Sequence, residues 1–208
     1  MKPFVVLCGP GRSGTSLGMQ LVQGCGFNVG KCNEPNIPHR WEGLRAGYNE
    51  HPLSNAQGAT IDEAIDKLEA QRCNAIKLIH LYAQWIPRLK ARGYDVHIVV
   101  TSRDIEEIWT SGRQLYTDWQ PEAISAICGQ AERITRETRG YLSDEKYKAY
   151  ELPFQKVVDR DKELLQGFVK FLRPDWTIDY LQQTVEQLEN IIRPDIVKHA
   201  KVLNDSGE

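Results

Sequence analysis

The stretch Phe4-Val-Val-Leu-Cys-Gly-Pro-Gly-Arg-Ser-Gly-Thr-Ser16 decides the fold class that the sequence predicts. Residues 4–8 form a short apolar run typical of a buried strand, and a glycine- and proline-rich loop follows them. Beyond the loop, Leu17, Leu21 and Cys25 recur at every fourth position, which predicts a helix. A strand, a glycine loop and a helix in this order point backbone N–H groups and a helix N-terminus at a phosphate-like anion.

The loop keeps most of the Walker A sequence G-x-x-x-x-G-K-[ST], because Gly9, Gly14 and Ser16 match its glycines and its final hydroxyl. Thr15, however, stands in place of the lysine. That lysine reaches the β- and γ-phosphates, so its absence argues against an ordinary ATP or GTP hydrolase. Arg12 supplies a fixed charge and a fork of N–H donors. The predicted anion-binding residues are Gly9, Pro10, Gly11, Arg12, Ser13, Gly14, Thr15 and Ser16.

The chain's size and charge are those of an ordinary globular domain. Its 208 residues are enough to bury a continuous core, and we expect residues 1–208 to form one domain. The net charge is −2 and the pI about 6.2, so bulk electrostatics provide no attraction to nucleic acid or to an anionic membrane. We therefore expect neither as a partner.

The cysteines indicate a reducing compartment. The chain has 5 cysteines and no C-x-x-C pair, which argues against a disulfide framework and against a zinc site. Cys8 and Cys25 occupy positions typical of a core. The apolar run at the N-terminus is too short for a signal peptide, and no apolar stretch approaches the roughly 18 residues of a membrane span. We expect a cytoplasmic protein without a bound metal.

Strands and helices alternate along the rest of the chain. Strands are predicted at a short segment within 24–30 and at 75–79, 97–101 and 147–152. Helices are predicted at 60–70 (with Thr60 and Glu63 as a capping box), 81–92 (interrupted near Pro87), 105–116, 121–141, 162–172 and 178–192. This alternation predicts an α/β domain in which helices flank a mostly parallel central β-sheet.

Two further segments are assigned from their composition and position. The irregular segment 31–55 carries Trp41 and Tyr48, which disordered tracts rarely contain. We interpret it as the wall of an acceptor pocket, and a covering loop without function is the alternative. The C-terminal segment 177–208 is interpreted as a helix followed by a tail.

Polar residues follow the predicted strands at three places. They lie at 9–16, 77–80 and 102–104. Because ligands bind beyond the carboxyl ends of parallel strands, we expect these segments to converge on one crevice. Arg103 at one strand end and Ser111 two turns into the next helix then suit a second phosphate. Taken singly, the glycines suit a tight turn and Arg103 and Ser111 suit a surface, so the hypothesis depends on the combination.

With these motifs the chain resembles the sulfotransferases that use 3′-phosphoadenosine 5′-phosphosulfate (PAPS). In that superfamily a glycine loop without the lysine, often containing Arg-Ser-Gly-Thr-[ST], binds the 5′-phosphosulfate, and residues 9–16 match it. An arginine at a strand end and a serine eight residues later bind the 3′-phosphate, as Arg103 and Ser111 would here. Ile105 replaces the proline of the family's R-D-P sequence.

Other segments extend the resemblance over most of residues 4–172. Lys77-Leu-Ile-His-Leu81 is similar to the family's K-x-P-x-L segment, again without the proline. Tyr150-Glu-Leu152 and Phe168-Val-Lys-Phe-Leu172 resemble the strand and helix that usually follow. The resemblance implies the P-loop-NTPase-like sulfotransferase fold, with a loop closest to the tyrosylprotein and bacterial type.

The implied activity is transfer of a sulfuryl group from PAPS to a hydroxyl or amine of a small-molecule, glycan or peptide acceptor. Adenosine 3′,5′-bisphosphate (PAP) is the other product, and no metal is needed. Arg12 and Lys77 would stabilise the developing charge. The base is Glu34, 22 residues after Arg12 as in the tyrosylprotein type, or His80, one residue off the cytosolic spacing; we favour Glu34. A glutamate base needs a dry pocket, for which Trp41 and Trp85 are the candidates.

Two other functions stay open from the sequence. One is a nucleotide or small-molecule kinase with a degenerate Walker A loop, which the missing lysine disfavours. The other is a nucleotide-binding protein that has kept the pocket and lost catalysis.

Overall fold

A four-stranded parallel sheet forms the centre of the part of the chain that the structure, a computed structural model, describes: residues 1–30, 51–115 and 121–192. The strands are β1 (Lys2–Cys8), β2 (Ala75–Leu78), β3 (Tyr94–Ser102) and β4 (Lys148–Pro153). Their order is β2-β1-β3-β4, and every neighbouring pair is parallel. The predicted α/β class with a mostly parallel sheet is confirmed.

Helices cover both faces of the sheet. They are α1 (Thr15–Gly24), α2 (Thr60–Ala70), α3 (Tyr82–Ala91), α4 (Ile105–Leu115), α5 (Pro121–Ser143), α6 (Phe154–Val158), α7 (Lys162–Leu172) and α8 (Ile178–Ile191). The sequence predicted all of them except the short α6. No helix within the described ranges has both the length and the apolar character needed to cross a membrane.

The two hydrophobic cores begin from alternate residues of β1. Val5 and Leu7 face α1, α7 and α8, whereas Phe4, Val6 and Cys8 face α2, α3 and part of α5. All five side chains are fully buried. A strand buried on both faces reads as a continuous apolar run, which is why the opening stretch predicts a central strand.

The order of the strands reverses beside β1. From β1 the chain continues to β2, towards one edge of the sheet, and from β3 it continues to β4, towards the other edge. The strand order therefore reverses between β1 and β3. In open parallel sheets, ligands bind at this reversal, outside the carboxyl ends of the strands.

The short strand predicted within 24–30 does not form. Residues 27–30 have no regular structure, and Asn28 links them to the turn before β2. Its N–H donates to Asn74 Oδ1 at 2.7 Å, and its Nδ2 donates to the carbonyl of Arg72 at 3.0 Å. Side-chain hydrogen bonds of asparagine thus replace the ladder of a strand.

The capping box predicted at Thr60 is also wrong. Thr60 is the first residue of α2, and Ala59 is its N-cap. The Thr60 hydroxyl instead donates to the carbonyl of Gln57 at 2.8 Å and accepts from its N–H at 3.1 Å. The hydroxyl therefore closes the preceding turn, which is the common alternative for a threonine at a helix start.

Two other local predictions need correction. Helix α3 continues through Pro87, which is exposed, because Trp85, Ile86 and Leu89 hold the helix against the core on either side of it. The segment 51–55, which had been included in an irregular loop, contains a 3₁₀ turn at Pro52–Asn55. Residues 31–50 of that loop lie outside the described part.

Trp85 belongs to the core and not to a pocket wall. Its side chain has no exposed surface, and its Nε1 donates to the carbonyl of Ala56 at 3.0 Å. A buried tryptophan that also satisfies a backbone carbonyl ties α3 to the segment before α2. Trp41, the other residue expected to shelter a glutamate base, and Glu34 itself lie outside the described residues, so the dry pocket stays a prediction.

We expect Trp85→Phe to lower the free energy of unfolding by about 2 kcal/mol, because it removes packing volume and leaves the Ala56 carbonyl without its donor. Urea denaturation measures the change. Trp176→Phe, at a half-buried tryptophan, is the control and should have a smaller effect. Equal losses in the two variants would contradict the role assigned to the Trp85 hydrogen bond.

Candidate anion-binding site

The glycine loop, Lys77 and Arg103 lie close together, as expected for the segments 9–16, 77–80 and 102–104, although Lys77 is within β2 and not after it. The loop after β1 contacts the end of β3, where Arg103 Nη1 donates to the carbonyl of Arg12 at 3.2 Å. It also contacts β2, where Lys77 Nζ lies 3.5 Å from Ser16 Oγ. The site therefore combines two arginines, a lysine and a glycine loop at the strand-order reversal.

Glycine is required at both ends of the loop. Gly9 and Gly14 have positive φ angles of 149° and 88°. A Cβ on Gly9 would overlap the side-chain oxygen of Thr101, and one on Gly14 would lie 2.5 Å from the ring of Phe154. The loop thus packs directly on β3 and on the residue that begins α6, closer than any side chain allows.

Ser13 stabilises the loop from inside. It is fully buried, and both its N–H and its Oγ bond to the carbonyl of Pro10, at 3.2 and 2.7 Å. Both of its donors are therefore used within the loop. The prediction that Ser13 contacts a ligand therefore depends on the loop backbone around it rather than on its hydroxyl.

The start of α1 provides amide donors. Gly14 caps the helix in the left-handed conformation and makes no side-chain cap bond. The N–H groups of the first turn, at Thr15, Ser16 and Leu17, have no acceptor within a helix. Together with the helix dipole they form an arrangement that favours a bound anion.

Arg12 lies in an unusual backbone conformation and reaches across to α4. Its φ angle is 69°, in the region that costs a non-glycine residue about 1 kcal/mol or more. Its Nε and Nη2 both donate to Ser111 Oγ, each at 3.1 Å. Ser111 is buried, and since its oxygen accepts both bonds, its hydroxyl hydrogen can point to a further acceptor.

Arg103 is held on three sides. Its Nε donates to Glu107 Oε2 at 2.9 Å, and its guanidinium carbon lies 4.3 Å from the centre of the Phe154 ring. The third contact is the bond to the Arg12 carbonyl described above. Asp104 caps α4 by accepting from the N–H of Glu106 at 2.8 Å. The Glu107 carboxylate, however, pairs with Arg103.

Lys77 and Cys8 lie beneath the loop. Lys77 is almost completely buried, with 2% of its surface exposed, although an isolated lysine in a strand is more often at a solvent-facing edge. Cys8 is the last residue of the neighbouring strand β1, and burial raises the pKa of its thiol to about 12. At neutral pH that thiol is protonated and therefore a poor nucleophile.

Of the two candidate bases, only His80 lies in the part of the chain that the structure describes. His80 is exposed, just past the end of β2. Glu34 lies outside the described residues, as does the rest of the expected acceptor loop at 31–50 and the tail at 193–208. The choice between Glu34 and His80 stays a prediction.

The sequence analysis missed Thr101, Glu107 as a partner of Arg103, and Phe154. Each acts through a contact with a residue that is distant in the sequence or on the next helical turn. Phe154 lies two residues after the strand predicted at 147–152, and that position gives no indication of stacking on an arginine.

Comparisons of the chain with protein-family models and with curated proteins find no match. Within the described ranges, no group of three or more His, Cys, Asp or Glu side chains is placed to hold a metal ion.

We expect Arg12→Gly to be more stable than Arg12→Ala by about 1 kcal/mol, because both lose the guanidinium and only glycine adopts a positive φ without strain. Urea unfolding of the two variants measures the difference. The same pair of substitutions at Arg136, inside α5, should give the opposite sign, since alanine favours a helix by about 1 kcal/mol. An equally stable pair at position 12 would contradict the strain.

Proposed function

We propose that the protein is a sulfotransferase that moves a sulfuryl group from PAPS to a hydroxyl or amine of an acceptor, with the P-loop-like sulfotransferase fold. The observation that carries this proposal is the clustering of Arg12, Ser111 and Arg103 against the glycine loop. Two separate predictions from the sequence, one for each end of the nucleotide, thereby fall on one crevice.

The donor set fits a nucleotide with an anionic group at each end. The loop amides and the first turn of α1 suit the 5′-phosphosulfate. Arg103 and Ser111 suit the 3′-phosphate, because a guanidinium and a hydroxyl both donate to phosphate oxygens. Arg103 lies within hydrogen-bond distance of the loop backbone, so one ligand can contact both groups.

PAPS supplies an activated sulfuryl group: the bond from sulfur to the bridging 5′-phosphate oxygen breaks as a bond from sulfur to the acceptor forms. The guanidinium of Arg12 and the ammonium of Lys77 stabilise the negative charge that develops on the leaving phosphate. Their positive charges take the place of the magnesium ions used with triphosphates. The acceptor proton passes to a base of the protein.

We favour Glu34 as that base. Its position 22 residues after Arg12 matches the tyrosylprotein type. A solvated glutamate has a pKa of about 4.3 and is a weak base. A neighbouring apolar surface that raised the pKa would strengthen it. His80, at the end of β2, is the second candidate.

We expect Arg103→Ala to weaken the binding of PAP by about 1.5–3 kcal/mol, because it removes a charged hydrogen-bonding contact. Titration calorimetry without Mg²⁺ measures the affinity. Arg133→Ala is a matched control, since Arg133 also pairs with a glutamate four residues on at 2.9 Å, but on α5. It should bind PAP like the unchanged protein.

An unchanged affinity in Arg103→Ala would remove the 3′-phosphate assignment. If the unchanged protein binds ATP only with Mg²⁺ and does not bind PAP, the kinase hypothesis is supported and the sulfotransferase proposal fails.

We expect Glu34→Gln to keep the affinity for PAP while lowering the transfer rate about 10²–10⁴-fold, the usual contribution of a general base. Transfer of sulfur-35 from PAPS to a panel of phenols, glycans and peptides measures it. His80→Gln is the comparison. A loss of activity in His80→Gln alone would make His80 the base, and tight PAP binding with no transfer to any acceptor would favour a binding protein.

A further inference from the structure

We propose that Thr101 is a positioning residue: it fixes the glycine loop against β3 and so sets the distance between the loop and Arg103. This inference rests on the proposed function for the identity of the ligand. Thr101 is not itself a contact for the nucleotide. It acts through Ser13 and the loop backbone.

Thr101 makes the hydrogen bonds that join the loop to β3. Its Oγ1 lies 2.7 Å from Ser13 Oγ and 3.4 Å from the carbonyl of Cys8, at the end of β1. Thr101 and Ser13 are both buried, with 2% and 0% of their surfaces exposed. Water therefore cannot readily replace a lost bond, and an unsatisfied hydroxyl here is costly.

The direction of these bonds follows from their acceptors. The carbonyl of Pro10 can only accept, so the Ser13 hydroxyl donates to it. The Ser13 oxygen is then the acceptor for the single hydroxyl proton of Thr101 at 2.7 Å, and the Cys8 carbonyl, at 3.4 Å, is the weaker competitor for the same proton. The chain of donors runs from β3 to Ser13 and on to the carbonyl of Pro10, and it holds the loop in one conformation.

The methyl group of Thr101 has a separate contact. A Cβ built on Gly18, in the first half of α1, would lie 3.1 Å from Thr101 Cγ2, whereas one on Gly9 would overlap Thr101 Oγ1. The hydroxyl therefore faces the loop, and the methyl faces the helix. Substitutions can remove one group and keep the other.

Thr101 is two residues before Arg103 on the same strand end. Because Arg103 directly follows Ser102, the last residue of β3, a loop bonded to Thr101 lies at a fixed distance from the backbone that carries the Arg103 guanidinium. Arg103 Nη1 donates to the Arg12 carbonyl at 3.2 Å, and this bond forms only while the loop keeps that distance from Arg103. A nucleotide that bridges the two groups requires the same distance.

The test compares Thr101→Val, Thr101→Ser and Ser13→Ala. Thr101→Val keeps a methyl against Gly18 but places a carbon where the bonded hydroxyl was, so the loop must move away from β3. Thr101→Ser keeps the hydroxyl and loses only the methyl. Thr184→Val is the control: Thr184 is also buried, and its hydroxyl donates to the carbonyl of Tyr180 at 2.8 Å, within α8.

Calorimetry with PAP should show about tenfold weaker binding in Thr101→Val and Ser13→Ala, which corresponds to the loss of one buried hydrogen bond. Thr101→Ser should bind PAP as tightly as the unchanged protein does, although we expect thermal unfolding to show that this variant is less stable. A residue that served stability alone would instead lower affinity in proportion to stability. Full affinity in Thr101→Val, or loss in Thr184→Val, would overturn the inference.

Amide hydrogen exchange without ligand separates this inference from the proposed function. The N–H of Ser13, which bonds to the Pro10 carbonyl, should exchange about tenfold faster in Thr101→Val and at the unchanged rate in Thr101→Ser and Thr184→Val. If the unchanged protein does not bind PAP, the proposed function fails while this exchange still decides the role of Thr101. An unchanged exchange rate in Thr101→Val overturns that role even if PAP binds.

Discussion

Parallel pairing of β1 with β3 is the constraint on which the rest of the site depends. The pairing brings Cys8 opposite Val100, so the loop after β1 and the residues after β3 leave the sheet at the same edge and nearly the same level. A parallel sheet needs helices on both faces, and the alternate residues of β1 pack against helices on each face. The glycine loop can then lie against β3, where Gly9 is too close to Thr101 to carry a side chain.

This geometry concentrates positive charge in a chain whose net charge is −2. Three positive side chains lie at the loop: Arg12 within it, Arg103 after β3 and Lys77 in β2. Each contacts a neutral group there, respectively Ser111, the Arg12 carbonyl and Ser16. In surroundings less polar than water, like charges repel more strongly and an anion among them is attracted more strongly. The local charge thus depends on the order of the strands. The net charge, which only counts charged residues, does not describe it.

The elements that the sequence predicted best have a strong period or an unambiguous composition. Helix α7 has the predicted limits, Lys162–Leu172, and β1 and β3 are longer than predicted only at their ends. The errors came from residues with several local partners, such as Asn28 and Thr60. The contact between Ser13 and Thr101 joins residues 88 positions apart, so no local pattern could indicate it. The motifs predicted that residues 9–16, Lys77 and Arg103 lie close together, and they did not indicate the contacts that support these residues.

The pairing of Arg103 with Glu107 has a consequence for selectivity. The arginine already has a counter-ion within its own chain, and an incoming anion has to compete with a carboxylate that is tethered four residues away. Chloride or inorganic phosphate gains little from that exchange, because a tethered group has a high effective concentration. A larger anion that is anchored at a second point offsets the disadvantage. If the proposed nucleotide binds at Arg103, Glu107 would therefore disfavour the binding of small, abundant ions there.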